Sequence, residues 1–531
     1  MKHPSPQRAY GRPVPGSIPR LAGLALLALA SILLPDPTPR DPVAAPPLKT
    51  LPSYAPGFPL LFPRPVDIRP REGSVVAADL DRDGRPELIA SVPSGVLVVL
   101  GEGGVMRPGW PRRFQEWPQP TYAVGAPGVG DLDGDGVDEV VICVVSGPSP
   151  GRTVLLFAIR ADGSDLPGWP IVVPATGAQA AYSPAATLVV DLDGDGRAEV
   201  VRALGLGEVW AFDGGGLLLP DWPFRSAPDA WGRRLSINAS PSAADLDGDG
   251  RPEVLVVESG LAPRLMAIDF MGHMLPHFPV QLGEIVERQS PSAGDLDGDG
   301  RAEVVQATLP ADDDLFQPLR APGAESADIG PSVPAALHSL RADGTEVSGW
   351  PFPLGAAASW GASLADLDGD GRPEVLQGDG NALYALDAGG ALLQGFPIMV
   401  HRSFARSQSE QASQWAVADL DLDGQPEFVQ ARSNLLDGWT QLRLLALRLG
   451  GQPAHGFPFT LDGLQAASQP IAVDLTGDRR PEVAILATEG TNGGWRLLAW
   501  DVSRDRRVAG TAPSTGDWRL PPLTVVGTVP P

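Results

Sequence analysis

Asp366-Leu367-Asp368-Gly369-Asp370-Gly371-Arg372-Pro373-Glu374, followed by the apolar pair Val375-Leu376, is the stretch that decides the fold. Acids stand at positions 1, 3, 5 and 9 and glycine at position 6. Carboxylates at alternate positions converge on one point, glycine permits the sharp turn, and the residue at position 7 can offer its carbonyl, so the layout suits a hard cation. The same layout also makes an Asx-type turn that needs no metal. The stretch recurs in clean form from Asp79, Asp131, Asp191, Asp245, Asp295, Asp366 and Asp419, and in degraded form from Asp474.

Copies start 50 to 71 residues apart, the size of a four-stranded propeller blade. Residues 361–398 show the unit. Small residues (Gly361-Ala362-Ser363-Leu364-Ala365) precede the acidic loop and read as the innermost strand, where crowding around an axis leaves no room for bulk. Glu374-Val375-Leu376-Gln377 opens a second strand, Ala382–Leu386 alternates as a third, and Asp387-Ala388-Gly389-Gly390 is a hairpin turn. Ala391-Leu392-Leu393-Gln394 then leads into an aromatic-proline pair that closes the unit.

That pair also recurs, at Phe58, Trp110, Trp169, Trp222, Phe278, Trp350, Phe396 and Phe457, each followed by proline. The first precedes the first acidic loop and none follows the eighth. A ring accounts for this phase: the segment around Phe58 completes the blade begun near Asp474. The alternative is that Trp518 completes it alone. The expected fold is therefore an all-β propeller of eight four-stranded blades (seven being the alternative), closed between the two ends of the chain, with the aromatics packed between blades.

In the form Asp-Leu-Asp-Gly-Asp-Gly-Arg-Pro-Glu, as at 245–253, the loop resembles the FG-GAP and VCBS-type repeats of integrin α-subunit propellers and many exported bacterial proteins. The resemblance covers about residues 53–520, although the Phe-Gly and Gly-Ala-Pro segments that name the family survive clearly only at Gly125-Ala126-Pro127. It implies about seven structural Ca2+ sites between the first and second strands of the blades. The implied ligands are Asp79, Asp81, Asp83, Arg85 and Glu87 in the first loop, and Asp131, Asp133, Asp135, Val137 and Glu139 in the second. They continue with Asp191, Asp193, Asp195, Arg197 and Glu199, then Asp245, Asp247, Asp249, Arg251 and Glu253. Asp295, Asp297, Asp299, Arg301 and Glu303 follow, then Asp366, Asp368, Asp370, Arg372 and Glu374, and last Asp419, Asp421, Asp423, Gln425 and Glu427. The arginines, Val137 and Gln425 would serve through their carbonyls. The eighth loop has Thr476 at position 3 and Arg479 in place of glycine, so it is expected to be empty or weak. An EF-hand is excluded, because its last acid stands at position 12 between helices.

The net charge of −24 is largely ligand charge, since the acidic loops hold close to half of the 64 acids. It is therefore poor evidence for a cationic partner. The only lysines, Lys2 and Lys49, precede the repeats. No nucleic-acid partner is expected. The single cysteine, Cys143, excludes intramolecular disulfides and sits in the apolar run Val140–Val145, where a buried thiol is expected.

Residues 1–34 carry basic residues and then an apolar run from Leu21 to Leu34, and read as a secretory signal or a short N-terminal anchor. A membrane would be met only through that anchor. A Pro-rich linker (35–52), the repeats (53–522) and a short tail (523–531) follow. The expected location is secreted, periplasmic or cell surface, where calcium is abundant.

Motifs for catalysis are few. Gly147-Pro148-Ser149-Pro150-Gly151 matches a nucleophile elbow in letters only, since Pro150 has no N–H for an oxyanion hole. The histidines past His3 (His273, His277, His338, His401, His455) show no ligand spacing. Some calcium-bound eight-bladed propellers are nevertheless polysaccharide lyases, with active residues from several blades. A carbohydrate-active enzyme is thus the alternative to a non-enzymatic adhesion or binding module.

A meander puts the 1–2 and 3–4 connections on one face. The other face receives the inter-blade loops and a long acidic insert near 309–334. It carries Arg112, Arg113, Trp117, Tyr122, Arg225, Trp231, Arg233, Arg234, Arg402, Phe404, Arg406 and Trp415. A protein or glycan ligand is expected there, because arginine grips carboxylates and aromatics stack on sugars.

Overall fold

A computed structural model describes residues 60–62 and 73–501, except 94, 115–120, 148–151, 175–182, 230–231, 233, 262, 311–333, 357, 359, 401–410, 437–438 and 490–493. The N-terminal leader and linker, Phe58-Pro59, Ser149, most of the long insert, Trp518 and the tail therefore lie outside the described residues. So do Trp117, Trp231, Arg233, Arg402, Phe404 and Arg406.

Strands make eight antiparallel sheets and one short ribbon among the described residues, with only two 3-10 turns, Glu102–Gly104 and Gly205–Gly207. Blade 3 is representative. Its innermost strand Leu188–Val190 pairs with Glu199–Leu204, which pairs with Glu208–Phe212, which pairs with the outer Phe224–Arg225. The second and third strands are buried along their length because both faces of each sheet lie against neighbouring blades, so they read as continuous apolar runs.

Eight hydrophobic clusters hold the molecule together, and each straddles two consecutive blades. Val141, Cys143 and Leu156 of blade 2 meet Val200, Leu204 and Phe212 of blade 3. Val75, Leu88 and Leu100 of blade 1 meet Val473, Ala484 and Leu497 of blade 8. A cluster at this last seam means that the circle is closed, as the repeat phase predicts. The closing strand is Leu60–Phe62, which pairs with Trp495–Trp500 through Leu60 opposite Leu497 and Phe62 opposite Trp495. Leu60–Phe62, the first described strand, thus becomes the outermost strand of the last blade and covers the edge of Trp495–Trp500.

The unit differs from the sequence reading at its outer edge. In blade 6 the strands are Ser363–Ala365, Glu374–Gly378 and Ala382–Leu386, as expected, but the fourth is Ile398–Met399. It comes after Phe396-Pro397 instead of before it, and Leu392 makes only a single bridge to Leu386. The aromatic-proline pair therefore links the hairpin to the outer strand. The aromatic rings do pack between blades: Trp110, Trp169, Trp222, Phe278, Trp350 and Phe457 all belong to the inter-blade clusters. The tryptophans add a directed contact. Trp110, Trp169, Trp222 and Trp350 donate Nε1–H to Ala161, Gly214, Phe270 and Ala388 carbonyls of the next blade's hairpin, at 2.9–3.0 Å.

Candidate metal centres

All eight acidic loops share one hydrogen-bond frame. The carboxylate at position 1 accepts the N–H of position 6 at 2.7–3.0 Å through Oδ2. In the seven clean loops position 6 is glycine at φ +83 to +88°, a backbone region that a side chain disfavours, which explains the residue choice. Position 5 accepts the N–H of position 7 through Oδ1 at 2.8–2.9 Å. The glutamate at position 9 opens the second strand, turns back beneath the loop and accepts the N–H of position 2 through Oε2 at 2.6–3.0 Å. These hydrogen bonds are those of an Asx-type turn, which needs no metal, and they leave carboxylate oxygens unspent.

The glutamates Glu87, Glu139, Glu199, Glu253, Glu303, Glu374 and Glu427 are only 1–5% exposed, whereas positions 3 and 5 face outward. Asp79, Asp81 and Glu87 each offer one oxygen within 4.8 Å of the others, as do Asp131, Asp133 and Glu139, and Asp191, Asp193 and Glu199. Asp245, Asp247 and Glu253 do the same, and so do Asp295, Asp297 and Asp299. Oxygens on one Ca2+ at about 2.3–2.6 Å lie at most about 5 Å apart, so the spacing fits one coordination sphere. The donors are all oxygen, which suits a hard cation rather than zinc.

Burial pushes Glu139, Glu199 and Glu253 up to about 7, and the aspartates of the same loop add to the rise; the Leu132, Leu192 and Leu246 N–H groups oppose it. Glu87, Glu303, Glu374 and Glu427 are raised for the same first cause, burial. A cation placed among these carboxylates would favour their charged forms and oppose the rise.

Three arginines enter these sites, and the sequence reading missed them. Arg107 places NH1 at 2.6 Å from Asp81 Oδ2 and 2.7 Å from Glu87 Oε1. Arg448 pairs with Asp421 and lies 3.5 Å from Glu427 Oε1. Arg160 reaches Asp133 Oδ2 at 2.8 Å. Arg160 and Arg448 directly follow the third strands of blades 2 and 7, where blades 3, 4 and 6 carry Asp213, Asp269 and Asp387. Aligning the repeats on their third strands would have brought out Arg160 and Arg448, together with Arg341 of blade 5, but not Arg107, which lies farther along its hairpin. The contacts also fix sidedness, because a hairpin residue reaches the acidic loop of its own blade only if both lie on one face. In the eighth loop Thr476 Oγ1 donates to Glu482 Oε1 at 3.0 Å, so a neutral hydroxyl takes the place of a carboxylate.

Of the side chains expected to form a ligand face, four of the described ones are engaged elsewhere. Trp415 is buried between blades 6 and 7. Arg112 pairs with Asp165 of the next blade at 2.7 Å, Arg225 with Glu208 at 3.1 Å, and Arg234 donates to the Ser226 carbonyl. Cys143 is buried and its thiol pushed up by burial. A cleft of about 240 Å³ lined by Arg85, Glu87, Arg107 and Asp474 sits at the closing seam, below the usual size of a small-molecule pocket.

Among the histidines, His338 has partners that spacing hid. Its Nδ1 lies 2.5 Å from Glu346 and its Nε2 3.2 Å from Glu284, which is 54 residues upstream. Although burial opposes the charge, the two carboxylates raise His338 to about 9. The cluster is a buried ion-pair bridge between the loop after blade 4 and blade 5.

Residues 79–142, 131–202 and 191–256 each match the family model for FG-GAP-like repeats, and each match runs from one acidic loop into the next blade. Over these residues the chain belongs to the FG-GAP-like repeat family. The loops at 79, 131 and 191 share their position 6 and position 9 hydrogen bonds with those at 245, 295, 366 and 419, so this part of the geometry continues around the ring. No curated protein matches the chain. Among solved structures, the biofilm matrix protein Bap1 of V. cholerae is 13% identical, with 85% of this chain and 91% of that chain covered and a TM-score of 0.36. The PilY1 C-terminal domain of Pseudomonas aeruginosa is 14% identical over 80% and 83%, with a TM-score of 0.33. The quinohemoprotein alcohol dehydrogenase of Comamonas testosteroni is 12% identical over 79% and 66%, again with a TM-score of 0.33. No helix among the described residues is long and apolar enough to cross a membrane.

Proposed function

We propose that the chain is an exported, calcium-stabilised propeller that binds a protein or glycan partner without catalysis, through the face away from the acidic loops. One observation carries the structural half of this reading. The same acidic loop recurs blade after blade, and beneath it always lies a buried glutamate that accepts a hydrogen bond from the loop's own backbone. A reactive metal centre needs an open coordination position and distinct neighbours, and it occurs once. A site repeated around a ring acts as a clip: a divalent ion would offset about half the charge of four acids and would tie the start of the second strand to the end of the first. Calcium would supply that neutralisation and nothing else.

The partner-binding half follows from sidedness. With one face committed to cation loops, the inter-blade connections on the other face are free to vary, as binding loops do on a rigid scaffold. Export supplies the calcium concentration at which loops of this type fill.

Two experiments test the reading. Melting in excess chelator against millimolar calcium should show a large loss of stability, and an unchanged melt would refute the clip. Incubation with acidic polysaccharides, followed in the ultraviolet for unsaturated products, should give retention without turnover. Product formation would replace the binding module with a lyase.

A further inference from the structure

We propose that the acidic loops are of two kinds: those of blades 2–6 hold a divalent cation, whereas in blades 1 and 7 Arg107 and Arg448 take the ion's place. The proposal rests on the cation reading given above and assigns which loops it applies to.

The first observation is the position of the guanidinium. Arg107 NH1 lies between Asp81 Oδ2 and Glu87 Oε1, at 2.6 and 2.7 Å. Those are the position 3 and position 9 carboxylates, the pair a shared ion would bridge. Arg107 is 22% exposed and Glu87 is 3% exposed at the side chain, so the pair is largely withdrawn from water, where a charge-assisted bond is strong. Arg448 also pairs with both carboxylates of its loop, more loosely: it bonds Asp421, and its Nε lies 3.5 Å from Glu427 Oε1, an ion pair without a hydrogen bond. In blade 2, Arg160 touches only Asp133 and leaves Glu139 to the loop.

The second observation is independent, because it concerns the backbone. In blades 2–6 position 4 is glycine, and its N–H donates to Oδ1 of position 1 at 2.7 Å in every case: Gly134, Gly194, Gly248, Gly298 and Gly369. In blades 1 and 7 position 4 is Arg82 or Leu422, held at φ +59 and +60°. There Oδ1 of Asp79 and Asp419 instead accepts from the position 5 N–H, at 3.2 and 3.1 Å. The two blades whose carboxylates are bridged by arginine are the two whose loop departs from the common frame. A loop that need not wrap an ion has less reason to keep glycine at position 4, since a side chain there costs strain without disturbing coordination.

An arginine cannot leave when calcium falls, so blades 1 and 7 would stay clipped in calcium-poor surroundings. They are also the blades on either side of blade 8, which the closing strand completes. Ring closure would then be independent of calcium, and blades 2–6 would carry the calcium response.

Counting ions in the purified full chain tests this, by equilibrium dialysis against calcium with elemental analysis and a calorimetric titration alongside. Five ions are expected in the parent protein. Asp193→Asn should lower the count by one, while Asp81→Asn and Asp421→Asn should leave it unchanged. Arg107→Ala should add a site, and a melt of each variant checks that it folds. Loss of an ion from Asp81→Asn or Asp421→Asn, or a parent count of six or seven, overturns the division of the loops. Absence of any bound ion overturns the cation reading beneath it.

Discussion

Glu199→Gln gives the most searching test of the acidic loops, because its effect should change sign with calcium. Glu199 is 4% exposed, accepts the Leu192 N–H at 2.7 Å, and titrates at about 7 instead of its usual 4.5. Its folded-state value is raised, so the metal-free native state keeps a proton that the unfolded chain releases above pH 4.5. Stability therefore falls as pH rises from about 4.5 to 7 and is flat beyond. At about 1.4 kcal/mol per pKa unit the full penalty is about 3 kcal/mol at pH 8. Glutamine keeps the shape and the Leu192 hydrogen bond but has no charge to bury. The metal-free variant should match the parent near pH 4.5 and exceed it by about 2–3 kcal/mol at pH 8. For a ring of this size that is about 2–3 °C in Tm, so denaturant midpoints in metal-stripped buffer are the better assay. With saturating calcium the order should reverse, because the variant has lost a charged ligand. A metal-free variant no more stable than the parent at pH 8, or a difference that ignores pH, would refute the account.

Other perturbations probe other parts of the ring. His338 is raised to about 9 by Glu284 and Glu346, so its contribution should be whole below about pH 6.5 and fade as pH rises through 9. His338→Ala should cost about 3–5 kcal/mol near neutrality by leaving two carboxylates against an empty space, and an NMR titration of the parent should find the ring charged at pH 7. Trp169→Phe keeps the packed ring but removes the bond to the Gly214 carbonyl, and should lower the unfolding free energy by about 1 kcal/mol; a larger fall would mean that ring volume dominates. Removing residues up to Phe62 exposes the Trp495–Trp500 edge, and light scattering should then show self-association that the full chain lacks.

Much of this molecule was legible one residue at a time. The acid spacing, the glycine at position 6 and the small residues before each loop are local requirements of a turn and of a crowded axis, so they recur wherever the blade recurs. The repeat phase even announced ring closure, because an aromatic-proline pair without a loop before it must belong to a blade begun elsewhere. The outer strand was misplaced because its two residues, Ile398 and Met399, carry no period of their own and are defined only by pairing with Ala382 and Leu383.

What the sequence could not supply is which charges meet. Arg107 and Asp81 are 26 residues apart, and His338 and Glu284 are 54 apart; nothing local marks either pair. Trp415 read as an exposed aromatic, yet the neighbouring blade covers it. The sequence by itself determined the unit, its recurrence and the acid spacing of its loops, since these depend on contacts within a few residues. The tertiary structure decided how each carboxylate is neutralised, because that depends on which hairpin the curvature of the blade brings over which loop.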